Sequence, residues 1–489
     1  MPRPFALYIS TALREVEKRA MGVAGIDEDS LMRRAGQAAW RQLLHTWPQA
    51  QRILVLCGPG NNGGDGWVLA QHALDAGRQV RVLMPADELP RTPLAQKMAD
   101  AYRKAGGAVD VFDGGLPDAD VIVDALFGIG CHRAPVGRMA LFVDAVNASL
   151  LPVLALDVPS GVDADTGHVP GMAINAMHTI QFIAAHAGLA TGAALDHVGS
   201  LSLSGLDVPD ECFDGLDAAA EALARPELTP RLRDSHKGRH GHVLAIGGDH
   251  GMGGAIILTS QAALRAGAGL VSVATRSEHV PVLMARRPEA MAHAVEDAAS
   301  LDALLRRADA LALGPGLGQA DWGRVLFDAA TCADKPSVID ADALNILVDS
   351  PRPLPAAVLT PHPGEAARLL GTDKNTVQSD RYTAARQLAD KFDCVVVLKG
   401  AGSLIAAPGR TTRVCMLGNP GMAGGGMGDA LTGIIATLLA QGHAPFDAAS
   451  IGVWLHARAG DRAAERGEIG MLASDLIAEL PATIAECTA

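Results

Sequence analysis

Two glycine-rich segments, each placed between a predicted strand and a predicted helix, carry residues suited to chemistry. GPGNNGGDG (residues 58–66) presents two amides and a carboxylate at the end of a buried strand. Such oxygen-bearing groups suit a hard cation, or polar recognition of a ribose or hydroxylated ring. GNPGMAGGGMGDALTG (residues 418–433) leads into a helix predicted to begin near Gly428, whose free N–H groups would form an anion hole for phosphoryl oxygens.

Asp429 lies at the start of that second helix, where a carboxylate would face a bound phosphate. Its position makes sense if Asp429 takes the proton from a hydroxyl that attacks the terminal phosphate of a nucleotide. Stabilisation by the helix dipole would explain the aspartate but not its flanking glycines. Four further segments end predicted strands and line one edge of a sheet: GPGLG (314–318), DADALN (340–345), HPGE (362–365) and KGAGS (399–403).

The first half has two further strand-ending segments, VDALFGIG (residues 123–130) and LDVPSGVD (residues 156–163). In a doubly wound sheet the carboxyl ends of the strands converge on one crevice, so Asn62, Asp124, Asp157 and Ser160 are expected to meet. Without a catalytic role, Asp157 would be a helix N-cap or an aspartate that stabilises the turn before Pro159.

Residues 58–63 also satisfy G-x-G-x-x-G, with Asp87 and Glu88 downstream, which would indicate a dehydrogenase. That pattern alone is weak, because glycine-rich loops match it often. The HKGRHGH cluster (residues 236–242) lacks an acidic or cysteine partner at ligand spacing, so we do not expect a metal site there.

Strands alternate with helices in both halves, which predicts an α/β protein with parallel sheets. In the first half, short apolar runs predict strands at 52–57, 79–84, 119–126 and 152–158, with helices at 66–77, 94–105 and 140–148 between them. The pattern breaks over residues 216–230, an Ala, Glu and Pro-rich stretch, and restarts with a strand at 242–247. We therefore predict two domains, residues 1–222 and 223–489.

Composition limits the possible partners. Acidic residues outnumber basic ones by 54 to 41, giving a formal net charge of −13 that disfavours nucleic-acid binding. The apolar run at 430–440 is too short to span a bilayer, so no membrane partner is expected. The seven cysteines show no C-x-x-C spacing, and the N-terminus lacks a secretory pattern, which favours the cytoplasm. Alanine-rich helices suit packing against a second copy, and we expect a homo-oligomer.

GPGNNGGDG, DALFGIG and LDVPSGVD together resemble the N-terminal domain of NAD(P)H-hydrate epimerases, which implies a Rossmann-like fold. The resemblance implies K⁺ bound by Asn62, Asp124 and Ser160, with Asp157 as the catalytic acid–base group. It also implies contacts to the hydrated nucleotide from one set of residues. These are Asn61, Asn62, Gly63, Gly64, Asp65, Gly128, Ile129, Gly130, Cys131, His132, Arg133, Ala134 and Asp157.

KGRHGHVLAIGGD (residues 237–249), GPGLG, DADALN, TPHPGE, KGAGS and NPGMAGGGMGD resemble NAD(P)H-hydrate dehydratases, which have a ribokinase-like fold. The resemblance implies that Ala255, Gly318, His362 and Asp429 contact the hydrate. It implies an adenine-nucleotide site formed by Lys399, Gly400, Ala401, Gly402, Ser403 and Gly428. Met427 stands where family members often carry Ser or Thr. HGMGGA (residues 250–255) replaces a loop that contains tyrosine in many members.

The two resemblances cover nearly the whole chain and imply repair of damaged nicotinamide cofactor. The first half would interconvert the R and S epimers of the hydrates NADHX and NADPHX. The second would dehydrate the S form with ADP or ATP as phosphoryl donor, ADP being favoured, and with Mg²⁺ accompanying the nucleotide.

Two other functions fit parts of the sequence. The second half would also suit a ribokinase-like kinase that phosphorylates a vitamin-precursor alcohol and releases a stable phosphorylated product. The first half would alternatively be an inactive nucleotide-sensing or partner-binding module, although Asn62, Asp124 and Asp157 argue against that.

Overall fold

The computed structural model describes residues 5–23, 25–85 and 89–488. Asp87 and Glu88, considered above for a dehydrogenase, lie outside these residues. The chain divides into two compact units, with the division between Ala220 and Glu221. We call Ala6–Ala220 the N-terminal unit and Glu221–Ala489, with which Phe5 is grouped, the C-terminal unit.

A parallel sheet forms the centre of the N-terminal unit. The strands in and beside it are β1 (Phe5–Tyr8), β2 (Arg52–Cys57), β3 (Gln79–Met84), β4 (Ala108–Val111), β5 (Val121–Ala125), β6 (Val153–Leu156), β7 (His178–Phe182), β8 (Ala185–His186) and β9 (Ser200–Ser204). The sheet has the order β4-β3-β2-β5-β6-β7-β9 and every pairing in it is parallel. Separately, β1 pairs in parallel with β8, with Tyr8 opposite His186.

Helices cover both faces of that sheet, as doubly wound topology requires. They are α1 (Ser10–Val23), α2 (Glu28–Thr46), α3 (Asn61–Asp75), α4 (Pro93–Lys104) and α5 (Arg138–Ala148). Alternate residues of β2 enter opposite cores, because side chains of a strand alternate between faces. Ile53 and Val55 pack with the first four helices, whereas Leu54 and Leu56 pack with α5. The predicted Rossmann-like doubly wound fold is confirmed.

The structure corrects the prediction that residues 58–66 form a loop followed by a helix from 66. α3 begins at Asn61, so the two amides and Asp65 lie in its first turns. Glycine weakens an isolated helix, but close packing overrides that propensity here. A Cβ on Gly63 would lie 2.0 Å from the Gly58 carbonyl oxygen, and one on Gly66 would lie 2.6 Å from the Ala125 Cβ. These glycines permit close contact between helix and strand.

The C-terminal unit has a second sheet, ordered β13-β12-β11-β14-β15-β16-β17-β18-β19. Its strands follow β10 (Ala220–Ala222), at the division between the units, and are β11 (His242–Ile246), β12 (Leu270–Thr275), β13 (Met291–Ala294), β14 (Ala310–Leu313), β15 (Ser337–Ile339), β16 (Ala357–Leu359), β17 (Val395–Leu398), β18 (Ser403–Ala406) and β19 (Thr412–Cys415). The pairings from β13 to β17 are parallel, and β17-β18-β19 is antiparallel. The predicted ribokinase-like α/β fold is confirmed.

The helices of this unit are α6 (Gly253–Ala266), α7 (Val280–Arg286), α8 (Ala298–Arg307), α9 (Asp321–Thr331), α10 (Asp342–Asp349), α11 (Pro363–Leu370), α12 (Lys374–Ser379), α13 (Arg381–Phe392), α14 (Met427–Ala440), α15 (Pro445–Ala464) and α16 (Ala473–Cys487). Helix α14 is central, with every residue from Ala430 to Leu439 buried. It approaches α6 closely, since a Cβ on Gly433 would lie 2.2 Å from the Thr259 carbonyl oxygen.

All seven cysteines are free. Cys57 and Cys212 are buried in the N-terminal unit, and Cys394, Cys415 and Cys487 are buried in the C-terminal unit; Cys332 is exposed.

Among the described residues, no helix combines the length and apolar character needed to cross a membrane.

Candidate active sites

The N-terminal unit contains a cavity of about 500 Å³ at the carboxyl ends of its central strands. Residues of α1, α2 and the first turn of α3 line it, together with the segments that follow β5 and β6. Of the predicted contact residues, those in the lining are Asn61, Asn62, Asp65, Gly128, Ile129, Gly130 and Asp157. The cavity lies where ligands bind in doubly wound sheets.

A buried polar network connects the three predicted cation ligands beside this cavity. The Ser160 hydroxyl donates to Asp124 Oδ1 at 2.7 Å, and the Ser160 backbone N–H donates to Asp124 Oδ2 at 2.8 Å. Asn62 Nδ2 donates to the Phe127 carbonyl at 2.8 Å, and the Phe127 N–H donates to the Ser160 hydroxyl at 2.9 Å. Burial raises the pKa of Asp124 to about 6 despite these hydrogen bonds. Asn62 Oδ1 is buried and has no hydrogen-bond partner among the described residues.

Asp157 lies at the wall of the cavity in a left-handed conformation, with φ of 67°. Non-glycine residues rarely adopt this region, and such strain concentrates at functional sites. Its Oδ1 is 2.7 Å from Nε2 of His186, a histidine that the sequence analysis missed. Its Oδ2 faces Gly128, where an added Cβ would lie only 3.1 Å away.

Two more carboxyl groups, Asp65 and Glu17, line the cavity. Burial, followed by the nearby charges of Asp157 and Glu17, holds the pKa of Asp65 well above its usual range. Burial and Asp157 also raise the pKa of Glu17. Because raised values favour protonated carboxyls, this cavity can supply proton donors as well as acceptors.

The remaining predicted contacts of this unit lie elsewhere. Gly63 and Gly64 are buried in α3, where they pack against protein. The segment from Cys131 to Ala134 lies outside the cavity lining. Within it, exposed His132 pairs with Asp163 at 2.8 Å, and Arg133 is also exposed.

In the C-terminal unit, an ion pair joins the residues that follow β17 and β15, and a hydrogen bond connects it to α14. Lys399 Nζ lies 2.7 Å from Asp340 Oδ1, and the Thr432 hydroxyl donates to Asp340 Oδ2 at 2.9 Å. A Cβ on Gly428 would lie 3.2 Å from Lys399 Nζ, so glycine lets the helix backbone approach the ammonium. Burial lowers the pKa of Lys399, but Asp340 and Glu365 outweigh it and leave that pKa raised. A permanent cation thus lies beside a helix N-terminus, which suits a phosphoryl group.

Asp429 follows Gly428 in the first turn of α14. Burial, and next the negative charge of Asp340, raises its pKa to about 6, against the opposing effect of Lys399. A carboxyl with this pKa can accept a proton near neutral pH. His456 supports the same turn, since its Nε2 bonds to the Met427 carbonyl at 2.9 Å, and burial lowers its pKa to about 4.

The other predicted residues of the C-terminal unit lie in loops and first turns after neighbouring strands. The Gly318 N–H donates to Asp342 Oδ2 at 2.9 Å, and a Cβ on Gly316 would lie 3.4 Å from the Ala255 Cβ. His362 caps α11, where its Nδ1 accepts from Gly364 N–H at 2.9 Å. Its pKa is lowered by burial and then by the charge of Lys399.

The KGAGS segment turns from β17 into β18 around a buried arginine. Arg381 donates to the carbonyls of Leu398 and Lys399 at 3.3 Å each, and the Ser403 hydroxyl donates to the Gly400 carbonyl at 3.0 Å. Gly400 has φ of 135° and Gly402 has φ of 62°, conformations that favour glycine. Ala401 lies between them, so the predicted nucleotide residues from Lys399 to Ser403 form one tight turn.

His242 of the HKGRHGH cluster is buried and contacts the Arg307 carbonyl and the Ser272 hydroxyl. Among the residues that the structure describes, no group of three or more His, Cys, Asp or Glu side chains is arranged to hold a metal ion.

Two family models match the chain. One, described as NAD(P)H-hydrate dehydratase, matches residues 243–482, and the other, described as YjeF-related protein N-terminus, matches residues 28–188. Among solved structures, a ribokinase-like superfamily protein from Enterococcus faecalis is 29% identical with a TM-score of 0.52, covering 55% of this chain and 97% of its own. A hypothetical protein from Streptococcus mutans is 32% identical with a TM-score of 0.50, covering 53% of this chain and 96% of its own.

Curated relatives match both units together. A bifunctional NAD(P)H-hydrate repair enzyme from Coxiella burnetii is 45% identical and covers 97% of this chain and 98% of its own length. The enzyme of the same description from Escherichia coli is 43% identical, with coverages of 98% and 93%. With such identity over nearly the full length, the chain belongs to the family of bifunctional NAD(P)H-hydrate repair enzymes, which combine an isomerase and a lyase.

Proposed function

We propose that the N-terminal unit interconverts the R and S epimers of NADHX and NADPHX, and that the C-terminal unit dehydrates the S epimer with ADP as donor. Mg²⁺ would accompany the nucleotide. The observation that carries the proposal is the placement of Asp429, with its pKa near 6, beside Gly428 and the Lys399–Asp340 pair. This is a proton acceptor next to a phosphoryl site, on a chain whose family repairs hydrated cofactor.

In the C-terminal unit, Asp429 would take the proton of the ring hydroxyl as that oxygen attacks the terminal phosphate of ADP. The products of this step are AMP and a phosphorylated hydrate. Loss of phosphate and of a ring proton then restores NAD(P)H, because phosphate leaves far more readily than hydroxide. Lys399 and the turn up to Ser403 would hold the nucleotide with Gly428, while Ala255, Gly318 and His362 would contact the hydrate.

In the N-terminal unit, Asp157 would move a proton at the epimeric carbon or its oxygen. Asn61, Asn62, Asp65 and the segment from Gly128 to Gly130 line the cavity and would bind the hydrated nucleotide. Hydration yields two epimers, and a dehydratase specific for one of them would leave the other unrepaired. An epimerase on the same chain removes that loss.

K⁺ fits the network formed by Asn62, Asp124 and Ser160. The buried carboxylate of Asp124 carries a negative charge. Asn62 Oδ1 accepts no hydrogen bond from the described residues, so this oxygen is available as a ligand for a cation. Oxygen donors suit an alkali cation, which would supply a compensating positive charge when bound. We propose that these three residues hold it.

Replacing K⁺ by tetramethylammonium is expected to lower the unfolding midpoint of the N-terminal unit by about 3 °C for each kcal/mol of lost binding energy. Differential scanning calorimetry over a K⁺ titration measures the shift. Asp124→Asn removes the charge that the cation neutralises, so its midpoint should not respond to K⁺. A wild-type midpoint that is the same in both salts would contradict the cation site.

The dehydration rate is expected to depend on the ionisation of Asp429. Asp340, Asp342 and Lys399 are the charged groups that act on this carboxyl, and its pKa is about 6. Since the deprotonated form accepts the proton, kcat/KM should rise about tenfold per pH unit below pH 6 and level off above about pH 7. Assays with an enzyme-free blank at each pH would test this. A flat profile across that range would exclude Asp429 as the base.

Absorbance at 340 nm tests the whole proposal, because intact NADH and NADPH absorb there and their hydrates do not. The purified chain is mixed with both epimers in potassium buffer, with ADP, ATP or no nucleotide. Full recovery with ADP supports both activities and the donor. Recovery of only one epimer's share would mean that the N-terminal unit is inactive. No recovery, with a stable phosphorylated product, would instead indicate a kinase.

A further inference from the structure

His186 lines the same cavity as the proposed acid–base residue Asp157 and contacts it. Its side chain is 1% exposed, against 14% for Asp157, and Nε2 lies 2.7 Å from Asp157 Oδ1. The His186 backbone N–H donates to the Gln181 side chain at 2.7 Å, and β8 places His186 opposite Tyr8. Backbone and ring are therefore both held, so the imidazole presents a fixed nitrogen to Asp157.

The two ring nitrogens of His186 have different surroundings. Nδ1 is buried and has no hydrogen-bond partner among the described residues. Nε2 faces Asp157 Oδ1, and a carboxylate only accepts hydrogen bonds, so Nε2 carries the proton that is donated to Oδ1.

We propose that His186 is a positioning residue for epimerisation, which orients Asp157 so that Oδ1 is occupied and Oδ2 is presented to the hydrated nicotinamide ring. This inference rests on the proposed epimerase function. Oδ2 is the oxygen next to Gly128, and Gly128 lies in the cavity lining. The left-handed backbone of Asp157 is strained, as residues at functional sites often are.

Three variants test the role: His186→Leu, His186→Gln and, as a matched control, His45→Leu at an exposed position in the last turn of α2. His186→Leu should lower kcat for epimer exchange about 10- to 100-fold with KM changed less than about threefold, the size expected for loss of an orienting partner. The amide of His186→Gln can still donate to Oδ1 and should recover most of kcat. Exchange is followed by NMR of purified epimers.

A ring measurement separates failure of this inference from failure of the proposed function. In protein labelled with ¹⁵N-histidine, His186 should show a ring protonated at Nε2, and Asp157→Asn should shift that signal. A ring protonated at Nδ1 alone would overturn the proposal, as would wild-type kcat in His186→Leu or a glutamine variant no better than leucine. If wild-type protein shows the expected ring signal but exchanges no epimers, the proposed function fails instead.

Discussion

The Asp429→Asn variant is expected to lose nucleotide-dependent dehydration by about 1,000-fold while its epimer exchange stays at the wild-type rate. Asparagine keeps the size of the side chain but cannot accept the hydroxyl proton. Because Asp429 is a first-turn residue whose neighbours Gly428 and Met427 are unchanged, the phosphoryl site should persist. ADP binding measured by calorimetry should therefore change less than threefold, by roughly 0.7 kcal/mol at most.

Asp321→Asn is the matched control for that variant. Asp321 is likewise in the first turn of a helix in the C-terminal unit, but it is exposed. Its substitution should leave dehydration unchanged. Dehydration by Asp429→Asn at a tenth of the wild-type rate or more would remove Asp429 from the chemical step.

The Asp157→Asn variant is expected to show the opposite pattern, with epimer exchange reduced about 100- to 10,000-fold and dehydration of the S epimer intact. In the 340 nm assay, this enzyme should quickly repair the S share of a mixture and then slow to the spontaneous rate of epimer exchange. The amide removes the proton acceptor, although Nε2 of His186 can still donate to the amide oxygen.

Asp144→Asn, at an exposed site of α5 in the same unit, controls for a general effect of losing one acidic group. Repair of both epimers at the wild-type rate by Asp157→Asn would show that another group, such as the buried carboxyl of Asp65, moves the proton. Taken together, the two aspartate variants should show that each activity can be lost without the other.

The sequence was most informative where buried parallel strands alternate with helices. The predictions for residues 52–57 and 79–84 match β2 and β3 to the residue. After Arg52, β2 is an apolar run buried on both faces, whereas β3 alternates exposed and buried residues before its buried end. The antiparallel strands β18 and β19 were missed. Each is four residues long and lies next to a glycine-containing turn. Four residues are too few to show the alternation of apolar and polar side chains that identifies a strand.

The site was predicted less evenly than the fold. Asp157 and Asn62 follow from motif position, since residues after parallel strands gather at one edge. Asp429 follows instead from the glycine-rich segment that leads into α14. His186 could not be found that way, because β7 and β8 were not predicted and the histidine contacts Asp157 across 29 positions of sequence. Asp340 lay in a recognised segment, but its bond to Lys399 spans 59 positions. Only the fold brings these partners together.

Each unit contains its own buried cysteines, so the unfolding of each unit can be followed separately by the reactivity of its thiols. Cys57 and Cys212 lie within one unit and Cys394, Cys415 and Cys487 within the other, and burial raises the pKa of Cys415 to about 12. Such thiols react with alkylating reagents only when the surrounding structure opens. Cys332 is exposed, so its alkylation rate gives the rate for a thiol that needs no opening. Pulsed alkylation read by peptide mass spectrometry would therefore measure the opening rates of the N-terminal and C-terminal units in one experiment, without any substitution in the chain. It would show whether loss of one catalytic unit by heat leaves the other folded.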